Sequence, residues 1–157
     1  MSGKEAGCFD LGLANKVGQV LEILNDKYEL DGYEIVDKFT SSKLFEHIVD
    51  WDVAVVSQSR YYIAGLFMEE FADMELKKTE FDFTESLFWY GYLIMRWCQI
   101  EDINGKYIAD NFNLKSILQG FPVLHTLSIE NAIAHIKIDD KKHVRDKNKK
   151  SIDKEQV

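Results

Sequence analysis

Apolar side chains recur at helical spacing along most of the chain, a pattern that predicts a mainly helical protein. In residues 11–28 they fall at steps of three and four, which predicts an amphipathic helix there. That stripe consists of Leu13, Val17, Val20, Leu21, Leu24 and Tyr28. After a turn at Asp31-Gly32, short helices are predicted for residues 33–39 and for the segment that Ser41 or Ser42 would cap.

One apolar face then repeats from Val53 to Met74, and we interpret this stretch as the longest periodic helix, beginning at Asp50 or Asp52. The run Val53-Ala-Val-Val does not by itself distinguish a helix from a short strand, because β-branched residues are also common in strands. A helix is nevertheless the prediction for the whole segment.

The most apolar stretch is LFWYGYLIMRWC, residues 87–98, in which Arg96 is the only charged residue. Thr84 is a suitable N-cap for it, with Glu85 in the first turn. A twelve-residue helix spans about 18 Å, which is too short to cross a bilayer. A helix that is apolar on every side must be covered on every side, so residues 84–100 are predicted to form a central helix.

The remaining helices are predicted from their caps. Asn104 and Asn113 precede helices at 105–112 and 114–119, the stretch FPVLHTL is interpreted as a loop, and Ser128 caps a helix over 129–138. The fold class is therefore a single-domain, mainly α bundle of about six to eight helices in residues 1–138. Residues 139–157 lose the apolar period and have the composition of a disordered, charged tail.

Charge is unevenly distributed along the 157 residues, whose formal net charge is −8. Residues 1–136 hold 11 lysines and arginines against 22 aspartates and glutamates, whereas residues 137–150 hold 7 against 3. An acidic body repels phosphates, so direct nucleic-acid binding by the folded part is not expected, and basic partners are favoured. Cys8 and Cys98 are interpreted as free thiols in a reducing compartment, which favours a cytoplasmic location with no membrane association.

The sequence lacks the familiar motifs for catalysis and metal binding. The four histidines do not fit a ligand spacing, and the sequence has no nucleophile elbow, phosphate loop or dinucleotide-binding pattern. We therefore expect no catalytic residues, no metal site and no cofactor. The candidate pocket of an alternative ligand-binding or enzymatic protein is aromatic, and it would comprise Trp89, Tyr92, Arg96, Trp97 and His125.

The most suggestive surface pattern is an acidic segment interleaved with phenylalanines. Seven acids fall within the seventeen residues 69–85, together with Phe71, Phe81 and Phe83. Such a segment is either a solvated helix end with its linker or a surface that docks on a basic groove, with charge accelerating association and phenyl rings supplying affinity. Because neighbouring residues on a helix diverge by about 100°, Trp89 and Arg96 are also candidates for outward contact.

Residues 88–136 contain, in order, FWYGY, Arg96-Trp97, NGKYIAD, LHTLS and ENAI. This order resembles small bacterial proteins of toxin–antitoxin and mobile-element loci. The resemblance implies a partner-binding role in a bacterial or phage protein and no defined active site.

The leading interpretation is a non-enzymatic, antitoxin-like or inhibitor-like protein that occludes a basic site on a partner protein. Its expected contact residues are Glu69, Glu70, Asp73, Phe81, Asp82, Phe83, Trp89 and Arg96. The alternatives are the aromatic pocket described above and a self-assembling subunit that buries the same patch against its copy.

Overall fold

The computed structural model describes residues 11–140, and their contacts divide this part of the chain into two compact units, residues 11–121 and 122–140. The described part is mainly helical, as the apolar periodicity predicts, and within residues 11–140 the only β-type pairing is an isolated antiparallel bridge between Leu30 and Lys78. In this part of the chain, no helix is both long and apolar enough to span a bilayer.

The helices follow in chain order with short connections. The first unit contains α1 (Leu11–Asp26), α2 (Gly32–Thr40), α3 (Lys43–Val49), α4 (Val53–Val56), α5 (Arg60–Glu70), α6 (Thr84–Glu101), α7 (Gly105–Asn111) and α8 (Leu114–Gln119). The short helix α9 (Phe121–Leu124) begins at the boundary between the units, and α10 occupies residues 129–140 of the second unit.

Side-chain caps set most helix starts where the sequence places them. The Ser42 hydroxyl accepts from Phe45 N, the Asn104 carbonyl from Tyr107 N, and the Asn113 carbonyl from Ser116 N. Ser128 Oγ likewise accepts from Asn131 N at 3.2 Å. Each cap satisfies an amide that the helix itself leaves unpaired, which is why these boundaries can be predicted locally.

The prediction of one long helix from residue 50 or 52 to Met74 is wrong. The segment breaks after α4, and α5 starts anew because Ser59 Oγ accepts from Tyr62 N at 3.2 Å. Lys16 Nζ donates to the carbonyls of Val56 and Gln58, at 2.8 and 3.0 Å, and so binds the chain at the break. Serines compete with the helix for backbone bonds, and a lysine from another helix completes the break.

Smaller boundaries also differ from expectation. Thr84 is the first residue of α6 rather than its cap, and Asp82 Oδ1 accepts from Thr84 N at 2.9 Å. The predicted loop FPVLHTL opens with the helical turn α9, in which Pro122 is tolerated because a first turn does not need its amide. Helix α10 extends to residue 140, two residues past its predicted end, and most of the predicted tail, 141–157, lies outside the described residues.

Helix α6 packs against α1, α2, α3 and α8, in agreement with its predicted central position. It buries Leu87, Tyr90, Leu93, Ile94, Trp97 and Cys98. The Tyr90 hydroxyl lies 2.6 Å from Thr40 Oγ1, and Thr40 Oγ1 in turn donates to Val36 O. Burial raises the pKa of both the Tyr90 hydroxyl and the Cys98 thiol, so both stay protonated at neutral pH.

Helices α1 and α6 touch through two glycines. A Cβ placed on Gly91 would lie 2.8 Å from Gly18 Cα and 3.0 Å from Val17 O, and one placed on Gly18 would lie 2.7 Å from Phe88 O. These neighbours are backbone atoms that cannot rotate away. Two helix backbones can therefore approach this closely only because neither position carries a side chain.

Replacing Gly91 by alanine should destabilise the protein by about 1–3 kcal/mol, because the added methyl forces α1 and α6 apart. Gly65, inside α5, is the matched control, since a Cβ there would meet nothing within 4 Å. Gly65→Ala should stabilise the protein by about 0.5–1 kcal/mol through helix propensity. Urea unfolding of both variants measures the difference, and equal effects at the two positions would contradict the close contact.

Candidate protein-docking surface

The acidic segment between α5 and α6 is not a helix but a loop fixed to the chain that joins α1 to α2. Asp31 N donates to Lys77 O at 2.9 Å, and Thr79 N donates to Glu29 O at 2.8 Å, on either side of the bridge between Leu30 and Lys78. Lys77 N donates to the Glu34 carboxylate at 3.1 Å. The loop is therefore held in one conformation by bonds from outside itself.

The buried side chain of Asn25 completes this attachment. Its amide nitrogen donates to Leu30 O at 2.9 Å and to Phe81 O at 3.2 Å, while its carbonyl oxygen accepts from Phe83 N at 2.9 Å. One side chain thus joins the end of α1 to the chain before α2 and to the last residues of the connection that precedes α6. Since Asn25 is only 5% exposed, water does not readily replace these bonds.

Two phenylalanines in this loop have different environments. The Phe83 ring packs edge-on against Tyr33, with centroids 5.6 Å apart, and lies over Gly32 so closely that a Cβ there would be 2.5 Å from Phe83 Cδ1. Phe81 touches the Phe83 ring, with centroids 4.7 Å apart, but is 66% exposed. Phe83 therefore anchors the loop, whereas Phe81 presents a phenyl ring to solvent.

Some carboxylates of the segment are exposed and unengaged, whereas others accept hydrogen bonds from the protein. Glu69 and Asp73 are exposed, and no hydrogen bond or ion pair within the described residues engages their carboxylates. Glu70 accepts from Lys43 N at 3.0 Å and from Leu44 N at 2.9 Å, so its charge stabilises the start of α3. Hydrogen bonds from the Thr84 hydroxyl and then the Thr84 amide lower the pKa of Asp82, which is exposed.

We call the exposed side chains of Glu69, Asp73, Phe81 and Asp82 the docking surface. Glu75, Glu80 and Glu85 in the same segment are exposed too, and Lys77 and Lys78 offset part of the negative charge. The docking surface is acidic and has one exposed ring, Phe81, on a part of the loop that Asn25 fixes, while Glu69 belongs to the end of α5.

The outer stripe of α6 is half-buried rather than free. Trp89 packs on Phe121, with ring centroids 5.7 Å apart, and Tyr92 stacks on Phe88 at 6.5 Å. Arg96 donates to Gln99 Oε1 at 2.7 Å. These side chains form a partly covered face next to the core, and Trp89 and Arg96 belong to it rather than to the acidic loop.

The candidate aromatic pocket stays a prediction, and its residues have different environments. Trp97 is fully buried and packs on Phe112, with centroids 4.8 Å apart, so it is a core residue that lines no open surface. Its indole N–H has no hydrogen-bond partner in the described part of the chain. His125 is exposed and lies in the second unit. Among residues 11–140, no group of three or more metal-binding side chains occurs.

Comparison with protein families, with curated proteins and with solved structures finds no match to this chain. The geometry of the docking surface is therefore the basis for a functional proposal.

Sequence reasoning missed the parts that hold the docking surface in place. Nothing in ILNDK distinguishes Asn25 from a solvated residue near a helix end, because two of its partners, Phe81 and Phe83, are more than fifty residues away. The available signal was its spacing: Leu21, Leu24 and Asn25 share one face of α1, so the stripe continues through a polar residue. A polar residue in an apolar stripe indicates a buried hydrogen-bonding role.

Asn25→Ala should lower the free energy of unfolding by about 2–4 kcal/mol, since it leaves buried backbone groups unpaired. The Phe83 amide should also exchange its hydrogen faster. Asn15→Ala, at an exposed position on the same helix, should change stability by less than about 0.5 kcal/mol. If the exchange rate of the Phe83 amide is the same in both variants, Asn25 does not hold the loop.

Proposed function

We propose that this protein is a non-enzymatic protein-binding module, antitoxin-like or inhibitor-like in kind, that occludes a basic site on a partner protein with the docking surface. The observation that carries the proposal is Phe81, a phenyl ring 66% exposed on a backbone that Asn25 fixes. Burying a phenylalanine side chain contributes about 1.5–3 kcal/mol. Because the loop is already ordered, little of that gain is lost in fixing it on binding.

Charge supplies the second argument for a basic partner. The free carboxylates of Glu69 and Asp73 and the exposed Asp82 belong to the same segment as Phe81. Carboxylates around an aromatic anchor attract a basic surface during encounter and disfavour acidic ones. Such attraction between exposed charges is screened at high salt, which gives the interaction a measurable signature.

The resemblance of residues 88–136 to proteins of toxin–antitoxin and mobile-element loci supports the same class of function. It extends the proposal to a bacterial or phage protein acting in the cytoplasm. Inhibition by occlusion requires no catalytic group on this chain, which suits a surface made of one ring and several carboxylates.

Phe81→Ala should abolish partner capture while leaving the melting temperature nearly unchanged, because most of the ring is in solvent. The test is affinity purification of the tagged full chain from its native cells. Wild type should retain one stoichiometric basic protein that is released at about 1 M salt, where the Debye length is about 3 Å. The control is Tyr61→Ala, an aromatic of 56% exposure on α5, which should retain the partner.

Capture of the same partner by the Phe81→Ala variant would show that the docking surface is wrongly placed. A salt-resistant assembly of the chain with its own copies would instead favour the self-assembling alternative.

Neighbouring glutamates at the end of α5 separate binding from stability. Glu69→Gln should slow association with the basic partner and leave stability unchanged, because its carboxylate is exposed and unengaged. Glu70→Gln should lower the free energy of unfolding by roughly 0.5–2 kcal/mol, since a neutral amide replaces the carboxylate that caps α3. Stopped-flow association and urea unfolding measure the two effects. If Glu70→Gln slows association without loss of stability, the assignment of the two residues is reversed.

A further inference from the structure

The loop that carries Phe81 also exposes an unpaired backbone edge. Lys78 pairs with Leu30 through the hydrogen bonds of their neighbours, Asp31 N to Lys77 O and Thr79 N to Glu29 O. In an antiparallel pair of this type, the amide and carbonyl of the central residue point away from the partner chain. Within residues 11–140, neither the backbone of Lys78 nor that of Leu76 makes a hydrogen bond.

A groove with both apolar and charged lining residues adjoins this edge. It is an open cavity of about 700 Å³, and Leu76 and Lys78 themselves contribute to its lining. Its apolar lining also includes Leu30, Met68, Phe71 and Met74, and the charged residues Glu75 and Lys77 line it as well. Methionine side chains are flexible and polarisable and adapt to differently shaped apolar groups, as in surfaces that bind several partners. Met74 is 49% exposed, so the groove is accessible from solvent.

We propose that residues 75–79 accept an extended segment of a partner protein as an added β-strand, whose apolar side chains enter the groove. Backbone bonds to Lys78 and Leu76 would supply the attachment, and the alternating side chains of the added strand would supply specificity. This inference goes beyond the docking surface, because backbone groups and a groove that excludes Phe81 carry it.

Charge identifies the kind of strand that fits. Lys77 and Lys78 are both exposed at this edge, and Glu75 offsets one of their two charges, so residues 75–79 carry a net charge of +1. Lysines on an edge strand repel an identical edge, so a second copy of this chain is disfavoured. The occupant is therefore a strand from a different protein, with an acidic residue beside the lysines and apolar residues at alternate positions.

The test uses a selected peptide as the probe. Random linear twelve-residue peptides displayed on phage are selected against the full chain, and the enriched peptide is synthesised and titrated. Lys78→Pro should weaken its binding about tenfold or more, because proline removes an amide that an added strand would use. Lys78→Ala, which keeps that amide, should weaken binding by a smaller factor. The native fold loses no internal bond in either variant.

A second measurement does not depend on a variant that folds. N-methylation at successive peptide positions should weaken binding at alternate residues only, as expected for a strand paired along one edge. Exchange of the Lys78 amide should be fast in the free protein and slow in the complex. Phe81→Ala should leave peptide affinity unchanged. The proposal for the docking surface and the proposal for this backbone edge are therefore tested independently.

The proposal is overturned if no peptide is enriched, if the bound peptide is helical, or if neither Lys78→Pro nor any N-methylation reduces affinity. Protection of amides at another surface in place of Lys78 would overturn it as well.

Discussion

The contact between Gly18 and Gly91 is the constraint on which the rest of the structure depends. It allows α1 and α6 to touch backbone to backbone, and every other helix that packs on α6 is arranged around that pair. The same contact determines where the functional loop can lie. Asn25 lies at the end of α1, and Phe83 directly precedes α6. Because the two helices pack closely, the Asn25 side chain lies within hydrogen-bonding distance of the loop.

A hierarchy of rigidity follows from this arrangement. The core of α6 is buried and closely packed, the loop before it is fixed by hydrogen bonds from α1 and α2, and Phe81 extends from that loop into solvent. Recognition surfaces benefit from this order, because an anchor that is already positioned loses little conformational entropy on binding. The loop is therefore a fixed support for whatever Phe81 touches, although its sequence looks like a flexible acidic linker.

Much of the fold could be predicted because it depends on hydrogen bonds between residues close in sequence. The features that were missed depend on contacts between residues distant in sequence. The caps at Ser42, Asn104 and Asn113 were readable because each bonds to its own helix within three residues. The division of residues 53–74 was missed, although Ser59 caps α5 locally, and Lys16 from another helix also binds the chain there. The acidic segment could be identified as a candidate surface from its sequence. The sequence does not show, however, that the carboxylate of Glu69 is unengaged whereas that of Glu70 accepts hydrogen bonds from two amides of α3.

Tryptophan placement on α6 has an optical consequence. Trp97 is buried in the core against Phe112, whereas Trp89 is half-buried on the outer stripe of the same helix. Indole emission shifts with the polarity around the ring, so one helix carries both an interior and a peripheral fluorophore. In variants that keep a single tryptophan, the wavelength of indole emission would then distinguish loosening of the core from a change at the outer face of α6.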